Sequence, residues 1–260
     1  CYARPTHEFL GLDAGREFEQ RVFAKINAPE VLRSEMRKPK WTGEPVAIGT
    51  ASDPYEPAES QYGITRQILE VLRDFLNPVS ITTKGVLVRR DVDVLKELSR
   101  EAGVQVAFSV GTVDEEVWKE TEPGAPSPKA RLEAMAYLVD SGINAGVSIA
   151  PILPGLSDSR ESIGAVAEAA ANHGAQFLSA NLLFLKPGSK EWFMPFIRES
   201  HPRLATGYSQ LYRTTYAPRD YTLSVLKVVD EARLRWGLPV PKPPRLLPRP
   251  QMQLELALTA

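Results

Sequence analysis

Cysteine is almost missing from this sequence. Cys1 is the only one, so there is no intrachain disulfide framework, and a reducing, cytoplasmic compartment is the expectation. Histidine is scarce too. Its three residues show no H-x-x-x-H or E-x-x-H spacing, which leaves zinc chemistry without a ligand set. No Walker sequence and no G-x-G-x-x-G occurs, which removes phosphate-loop and dinucleotide-fold readings. No run approaches the roughly 18 apolar residues of a membrane span, so no membrane partner is expected. An excess of one charge is also lacking. With 31 Lys and Arg against 32 Asp and Glu, no global field marks a nucleic-acid or membrane binder.

What is present is alternation. Short β-branched runs are separated by longer amphipathic ones, the pattern of a parallel α/β architecture. The spacing predicts strands at Pro45 to Gly49, Val79 to Thr83, Val104 to Val110, Ala145 to Ala150 and Phe177 to Leu185. It predicts helices from Ile64 through Phe75, from Asp91 to Ala102 before Gly103, from Pro128 to about Gly142, and from Asp158 to His173. Another helix begins after Asn27, with Pro29 in its first turn. The strands read as apolar runs buried on both faces. Arg21 to Ile26, apolar and alternating, is expected to pair at a sheet edge. His173 sits at a helix end, where the dipole favours a cation, and is given no catalytic role.

After about Lys190 the rhythm changes to helical segments rich in aromatics, including Trp192, Phe193, Phe196, Tyr208, Tyr212 and Tyr216. Beyond Gly237 prolines and basic residues dominate, as in an extended linker. The expected organisation is therefore a βα unit over 1–190, a helical extension over 191–237, and a proline-rich basic linker and tail over 238–260. From alternation alone, a barrel wall and a doubly wound open sheet are equally allowed.

The residues that carry chemistry follow the predicted strands, where α/β folds place active sites because the loops converge there. The first loop is Gly49-Thr50-Ala51-Ser52-Asp53-Pro54-Tyr55-Glu56-Pro57-Ala58-Glu59. A hydroxyl and a carboxylate suit an ammonium group, although Asp53-Pro54 is also an ordinary turn. The second, Thr82-Thr83-Lys84-Gly85, offers Lys84 either as a surface charge or as a holder of a carboxylate or phosphate. The third is Ser109-Val110-Gly111-Thr112-Val113-Asp114, followed by Glu122-Pro123-Gly124-Ala125-Pro126 and Arg131-Leu132. The Arg131 guanidinium suits a carboxylate bidentately, whether a ligand's or that of Glu122 in a surface pair. The fourth, Ala150-Pro151-Ile152-Leu153-Pro154-Gly155-Leu156-Ser157-Asp158, offers the apolar side chains and backbone edges a purine needs. It is also ordinary entry into a Ser-capped helix. In the fifth, Asn181 and Lys186 are expected to point inward.

The opening run, Cys1-Tyr2-Ala3-Arg4-Pro5-Thr6-His7-Glu8-Phe9-Leu10-Gly11, resembles the close of the CxxxCxxC motif of radical S-adenosylmethionine (SAM) enzymes. The branch it resembles is the one related to spore photoproduct lyase. Residues 49–59 resemble that branch's GTxTDPYQPxE segment, and residues 109–132 its S-x-x-T-x-D…E-P-x-A-P…R-L pattern. The resemblance runs from Cys1 to about Tyr221. It implies a partial (β/α)6 TIM-like barrel, its first strand missing, with a helical C-terminal extension. It implies a 4Fe–4S cluster ligated in part by Cys1; His7, on the same loop, either orients the cluster or contacts the ligand, or makes a simple structural hydrogen bond. It implies SAM binding by Ser52 and Asp53 at the amino group, Arg131 at the carboxylate, Pro151 and Ile152 along the adenine, and Lys84 and Ser109 as further contacts. Reductive cleavage of SAM to a 5′-deoxyadenosyl radical would follow, with a flavodoxin or ferredoxin as electron donor and a nucleic-acid substrate. Two departures stand out. The other two cluster cysteines do not occur in this sequence, and neither does the additional cysteine that spore photoproduct lyase uses as hydrogen donor.

The tail Gln253-Leu254-Glu255-Leu256-Ala257-Leu258 resembles the Q-L-x-L-x-L peptide that docks on the bacterial sliding clamp. Gln253 would fix register while Leu254, Leu256 and Leu258 fill a pocket; the plain alternative is a tail helix packing on the domain. Two rival functions are a non-catalytic scaffold that recruits partners through this tail, and a cofactor-independent lyase or aldolase using Lys84.

Overall fold

The structure is a computed structural model that describes residues 3, 4, 6, 11–13 and 15–244. Cys1, His7 and the Gln253 to Leu258 peptide lie outside the described residues.

Five strands form one parallel sheet: β1 (Val46–Ile48), β2 (Val79–Thr83), β3 (Val104–Ser109), β4 (Ala145–Ile152) and β5 (Leu178–Leu182). They lie in strict chain order, β1-β2-β3-β4-β5. A doubly wound sheet reverses its order at a switch point; this one never does. The sheet is thus the wall of a partial (β/α) barrel.

Helices fill every connection. α1 (Arg16–Gln20) and α2 (Ala28–Met36) precede β1. α3 (Glu59–Tyr62) and α4 (Ile64–Asp74) join β1 to β2, and a 3-10 turn (Val86–Asp91) with α5 (Val92–Glu101) joins β2 to β3. α6 (Glu115–Thr121) and α7 (Pro128–Asp140) lead to β4, and α8 (Arg160–Asn172) leads to β5. Local chemistry starts them where the sequence signals. Ser127 and Ser159 accept bonds from the backbone N–H groups of Ala130 and Ser162, and Asp114 from those of Glu116 and Val117.

α9 (Ser189–Ser200), α10 (Pro202–Leu211) and α11 (Arg219–Trp236) follow β5. Their buried Ile197, Tyr208, Tyr212 and Val229 belong to the same apolar cluster as the strands. The Tyr212 hydroxyl donates to the Leu183 carbonyl at 2.8 Å. No helix among the described residues is long and apolar enough to cross a membrane.

Three expectations change. First, the strands are not apolar on both faces. Val79, Ile81, Val104, Val106, Phe108, Val147, Ile149 and Leu178 are buried in the apolar cluster, whereas Ser80, Thr82, Gln105, Ala107, Ser109, Ser148, Ala150, Ser179 and Asn181 line a central cavity. The period is 2, as in any strand, but the inner residues are small and polar. Second, Arg21 to Ile26 joins no sheet: residues 21–25 form no strand, and Val22, Phe23 and Ile26 are exposed. The outer strand β1 is only three residues long. Third, the proline-rich segment does not leave the domain at once. The Pro239 carbonyl accepts Leu178 N–H at 3.0 Å, the Lys242 carbonyl accepts Gln105 Nε2 at 2.9 Å, and Pro241 lines the cavity. Proline cannot donate, but the carbonyls of this segment still accept, so it closes the N-terminal end of the wall.

Candidate functional site

The loops at the C-terminal ends of the strands surround a cavity of about 1180 Å³. The loop after β1 is set by a close approach. Gly49 has φ +93°, and a Cβ there would lie 2.1 Å from the Thr82 carbonyl oxygen, so only glycine lets β1 turn against β2. Asp53 then reaches across. Its Oδ1 accepts the Thr83 hydroxyl at 2.5 Å and Tyr55 N–H at 2.9 Å, and its Oδ2 accepts Lys84 N–H at 2.6 Å. Gly85 seals the same junction, because a Cβ there would meet the Tyr55 carbonyl oxygen at 2.5 Å. Ser52, Asp53 and Lys84 are thereby brought to one rim of the cavity.

Lys84 is itself held. Its Nζ lies 2.7 Å from Glu122 Oε1, while Glu122 Oε2 accepts Arg131 NH2 at 2.6 Å. Burial alone would raise the Glu122 carboxyl, but the charges of Lys84 and Arg131 outweigh it and hold the group below its ordinary range. The Glu56 carboxyl, on the same loop as Asp53, is raised by burial, with Asp53 and Glu59 adding repulsion.

Arg131 is where the structure departs most from expectation. It is fully buried, does not line the cavity, and is not in a surface pair. Its Nε donates to the Pro126 carbonyl and its NH1 to the Ser109 carbonyl, both at 2.7 Å. With NH2 on Glu122, the guanidinium faces protein acceptors, which leaves no direct contact with a ligand in the cavity. It instead ties the end of β3 to the Glu122 loop.

The remaining predicted residues divide. Ser109 and Pro151 line the cavity, Pro151 from the end of β4, together with Leu153 and Ser157 from the loop that follows it. Ile152 does not; it is fully buried in the core, and its carbonyl accepts Leu183 N–H at 2.9 Å. Asn181 lines the cavity, while Lys186 is exposed and does not. His173 caps α8, its Nδ1 2.8 Å from the Ala169 carbonyl, in keeping with a structural role.

Sequence reasoning missed two features. Arg4 is buried on the cavity wall, donates to the Gly15 carbonyl at 2.9 Å, and sits over the rings of Trp192 at 4.5 Å and Phe18 at 5.1 Å. An arginine near the start of the chain and a tryptophan nearly two hundred residues away gave no local signal of contact. The polar inner face of the strands was legible, since V-S-I-T-T and L-S-A-N-L alternate in plain view. Among the described residues no group of three His, Cys, Asp or Glu is arranged to hold a metal ion.

Residues 17–165 match the Radical SAM superfamily. An uncharacterized protein of Mycobacterium tuberculosis is 38% identical over 222 residues, covering 85% of this chain and 65% of that protein. One from Methanocaldococcus jannaschii is 30% identical over 164 residues, covering 63% and 59%. The chain therefore spans less than two thirds of the length of these relatives. Among solved structures, a spore photoproduct lyase variant with bound AdoMet and dinucleoside spore photoproduct superposes with TM-score 0.64 at 15% identity, over 85% of this chain and 67% of that one. Streptococcus suis SuiB bound to precursor peptide SuiA gives 0.53 at 13%, over 85% and 42%. At these identities the likeness is one of fold.

Proposed function

This chain belongs to the radical SAM superfamily, and from that premise we propose that its cavity binds S-adenosylmethionine. Ser52 and Asp53 face the amino group, Lys84 and Ser109 the carboxylate, and Pro151 the adenine. The observation that carries the reading is the pairing at one rim: Asp53 Oδ2 accepts the backbone N–H of Lys84, so a carboxylate and an ammonium side chain leave the wall side by side. A free amino acid head group carries the opposite pair of charges. Arg131 acts through Glu122 and the Ser109 carbonyl, and Ile152 backs the adenine wall from the core.

A reduced iron–sulfur cluster with SAM bound would supply radical abstraction of hydrogen from a substrate. Clusters of this kind need several thiolates. Cys1 is the one this sequence offers, so these residues do not by themselves hold a cluster, and their roles concern binding alone. Phe184, Trp192 and Phe193 give the cavity an aromatic side. For the whole protein the reading is a cytoplasmic, lyase-like radical SAM enzyme acting on nucleic acid, with a flavodoxin or ferredoxin as electron donor. The shared fold with a lyase bound to a dinucleoside supports it. The aldolase alternative loses support, because Lys84 Nζ is ion-paired with Glu122 at 2.7 Å.

The test is calorimetric titration of the whole protein with S-adenosylhomocysteine. Binding should weaken about tenfold or more in Asp53→Asn, a change worth about 1.4 kcal/mol per decade. No binding by the unaltered protein, or equal binding by Asp53→Asn and Lys84→Met, would sink the reading.

A further inference from the structure

The inner face of the wall carries more than a cofactor site. In the strand register Ser109 pairs with Ser148, and Ser148 pairs with Ser179, so three serines lie side by side across β3, β4 and β5. Adjacent strands are ~4.8 Å apart, which makes this a row of hydroxyls running away from the Lys84 rim. All three line the cavity, and Asn181 extends the row two residues along β5. Ser148 is 6% exposed, yet its hydroxyl makes no hydrogen bond with another described residue, and neither does that of Ser179. Ser148 is buried, Ser179 half-buried and Asn181 exposed, and all three line the cavity, so their polar groups are open to a ligand there.

The surroundings say what that ligand is. Among the described residues, the ionisable ones that line the cavity are Arg4, Asp53, Lys84 and Glu122; Asp53 and Lys84 belong to the rim assigned to the cofactor, Glu122 pairs with Lys84 and Arg131, and Arg4 sits against Trp192 and Phe18. No further described cation lines the cavity beside β4 or β5 to neutralise a phosphate or carboxylate, and burying such a charge unpaired is costly. Small neighbours, Ala107, Gly111 and Ala150, leave the space open. Phe177 and Pro241 also line it, and Gln105 is occupied by the Lys242 carbonyl. The volume, about 1180 Å³, lies above the ~300–1,000 Å³ typical of a site for one small molecule.

We propose that Ser148 and Ser179, with Asn181, form a separate substrate subsite that takes an uncharged group bearing both hydrogen-bond donors and acceptors. It rests on the reading of the upper rim as the SAM site, because Ser148 and Ser179 are the members of the serine row that this reading leaves unassigned. Two sources share the required chemistry, a cyclic amide and a polyol. Specificity for neutral groups is set by the inner-face hydroxyls, and any charged part of the substrate remains outside the barrel wall.

The experiment is ligand-observed NMR with the whole protein saturated with S-adenosylhomocysteine, using nicotinamide, nicotinate and glucose as probes. At least one neutral probe should bind, and nicotinate should not. A signal from nicotinamide identifies the amide class and one from glucose the polyol class. The double variant Ser148→Ala/Ser179→Ala should lose about tenfold in affinity for that probe, as expected for two lost hydrogen bonds, while S-adenosylhomocysteine affinity stays within about twofold by calorimetry. Equal binding of nicotinate, retention by the double variant, displacement of the probe by S-adenosylhomocysteine, or silence from both neutral probes would each overturn the proposal. Failure of S-adenosylhomocysteine to bind, with nicotinamide still bound and still lost in the double variant, would instead remove the cofactor reading and leave the subsite standing.

Discussion

Replacing Arg131 by Met tests the central strut of the site. The side chain is 0% exposed and makes three charge-assisted bonds, to the Pro126 carbonyl, the Ser109 carbonyl and Glu122, at 2.7, 2.7 and 2.6 Å. Removing one partner of a buried ion pair costs about 3–5 kcal/mol. Glu122 keeps Lys84 at 2.7 Å, which places the expected loss at the lower end, about 3 kcal/mol, with the two carbonyls left unsatisfied as the main remaining cost. For a chain of this size that corresponds to roughly 6–12 °C in Tm, measured by calorimetry or by urea unfolding at pH 7. The double variant Arg131→Met/Glu122→Gln should lose less than the sum of the single changes, because each single change breaks the same pair. The pH dependence follows in sign. The Glu122 carboxyl is held below its ordinary value of 4.5 in the folded state, so its contribution is complete above that value and is lost as pH falls through the lowered one. Glu122→Gln should therefore flatten the acid side of the stability profile. A loss of less than about 1 kcal/mol in Arg131→Met, the usual range of an exposed pair, would refute the view of Arg131 as a buried strut.

Three further outcomes follow from the geometry. Gly49→Ala combines a positive φ with a 2.1 Å clash against backbone, and should cost more than about 2 kcal/mol; an unchanged unfolding midpoint would mean the loop is free to move. Trp192→Ala removes one ring from Arg4 and should cost about 0.5–2 kcal/mol, with Trp192→Phe recovering part of it in the same melt. Gln105→Ala frees the Lys242 carbonyl, so residues 238–244 should be cut faster under native-state proteolysis, and an unaltered cleavage rate would contradict their role as a floor.

Much of the fold was legible because strand and helix periods are local properties. Val79-Ser80-Ile81-Thr82-Thr83 gives its strand, and Ser127-Pro128 gives a helix start, with no knowledge of neighbours, whereas reading the strand as apolar on both faces overlooked Ser80 and Thr82. The site was legible in part for the same reason: Asp53 and Lys84 follow strands, and parallel strands deliver such loops to one end. Arg21 to Ile26 misled because alternation needs a partner edge to become a strand. Arg131 and Ile152 misled because a residue type tells what a side chain can bind, while its direction from the helix or strand decides what it meets.

By itself, the sequence determined that the chain is a run of βα units with polar loops at the strand ends, since hydrophobic period, caps and glycines act over a few residues. It also carried the family likeness, through residues 1–11, 49–59 and 109–132. The tertiary structure decided which charges are spent on one another. Lys84, Glu122 and Arg131 are 38 and 9 residues apart in successive steps along the chain, yet lie in one line of contacts at 2.7 and 2.6 Å that runs from the cavity rim to a fully buried guanidinium. It also decided that the strands' inner face, with Ser80, Thr82, Ser109, Ser148 and Ser179, lines a cavity rather than core, because only the curvature of the wall turns alternate residues toward a shared space.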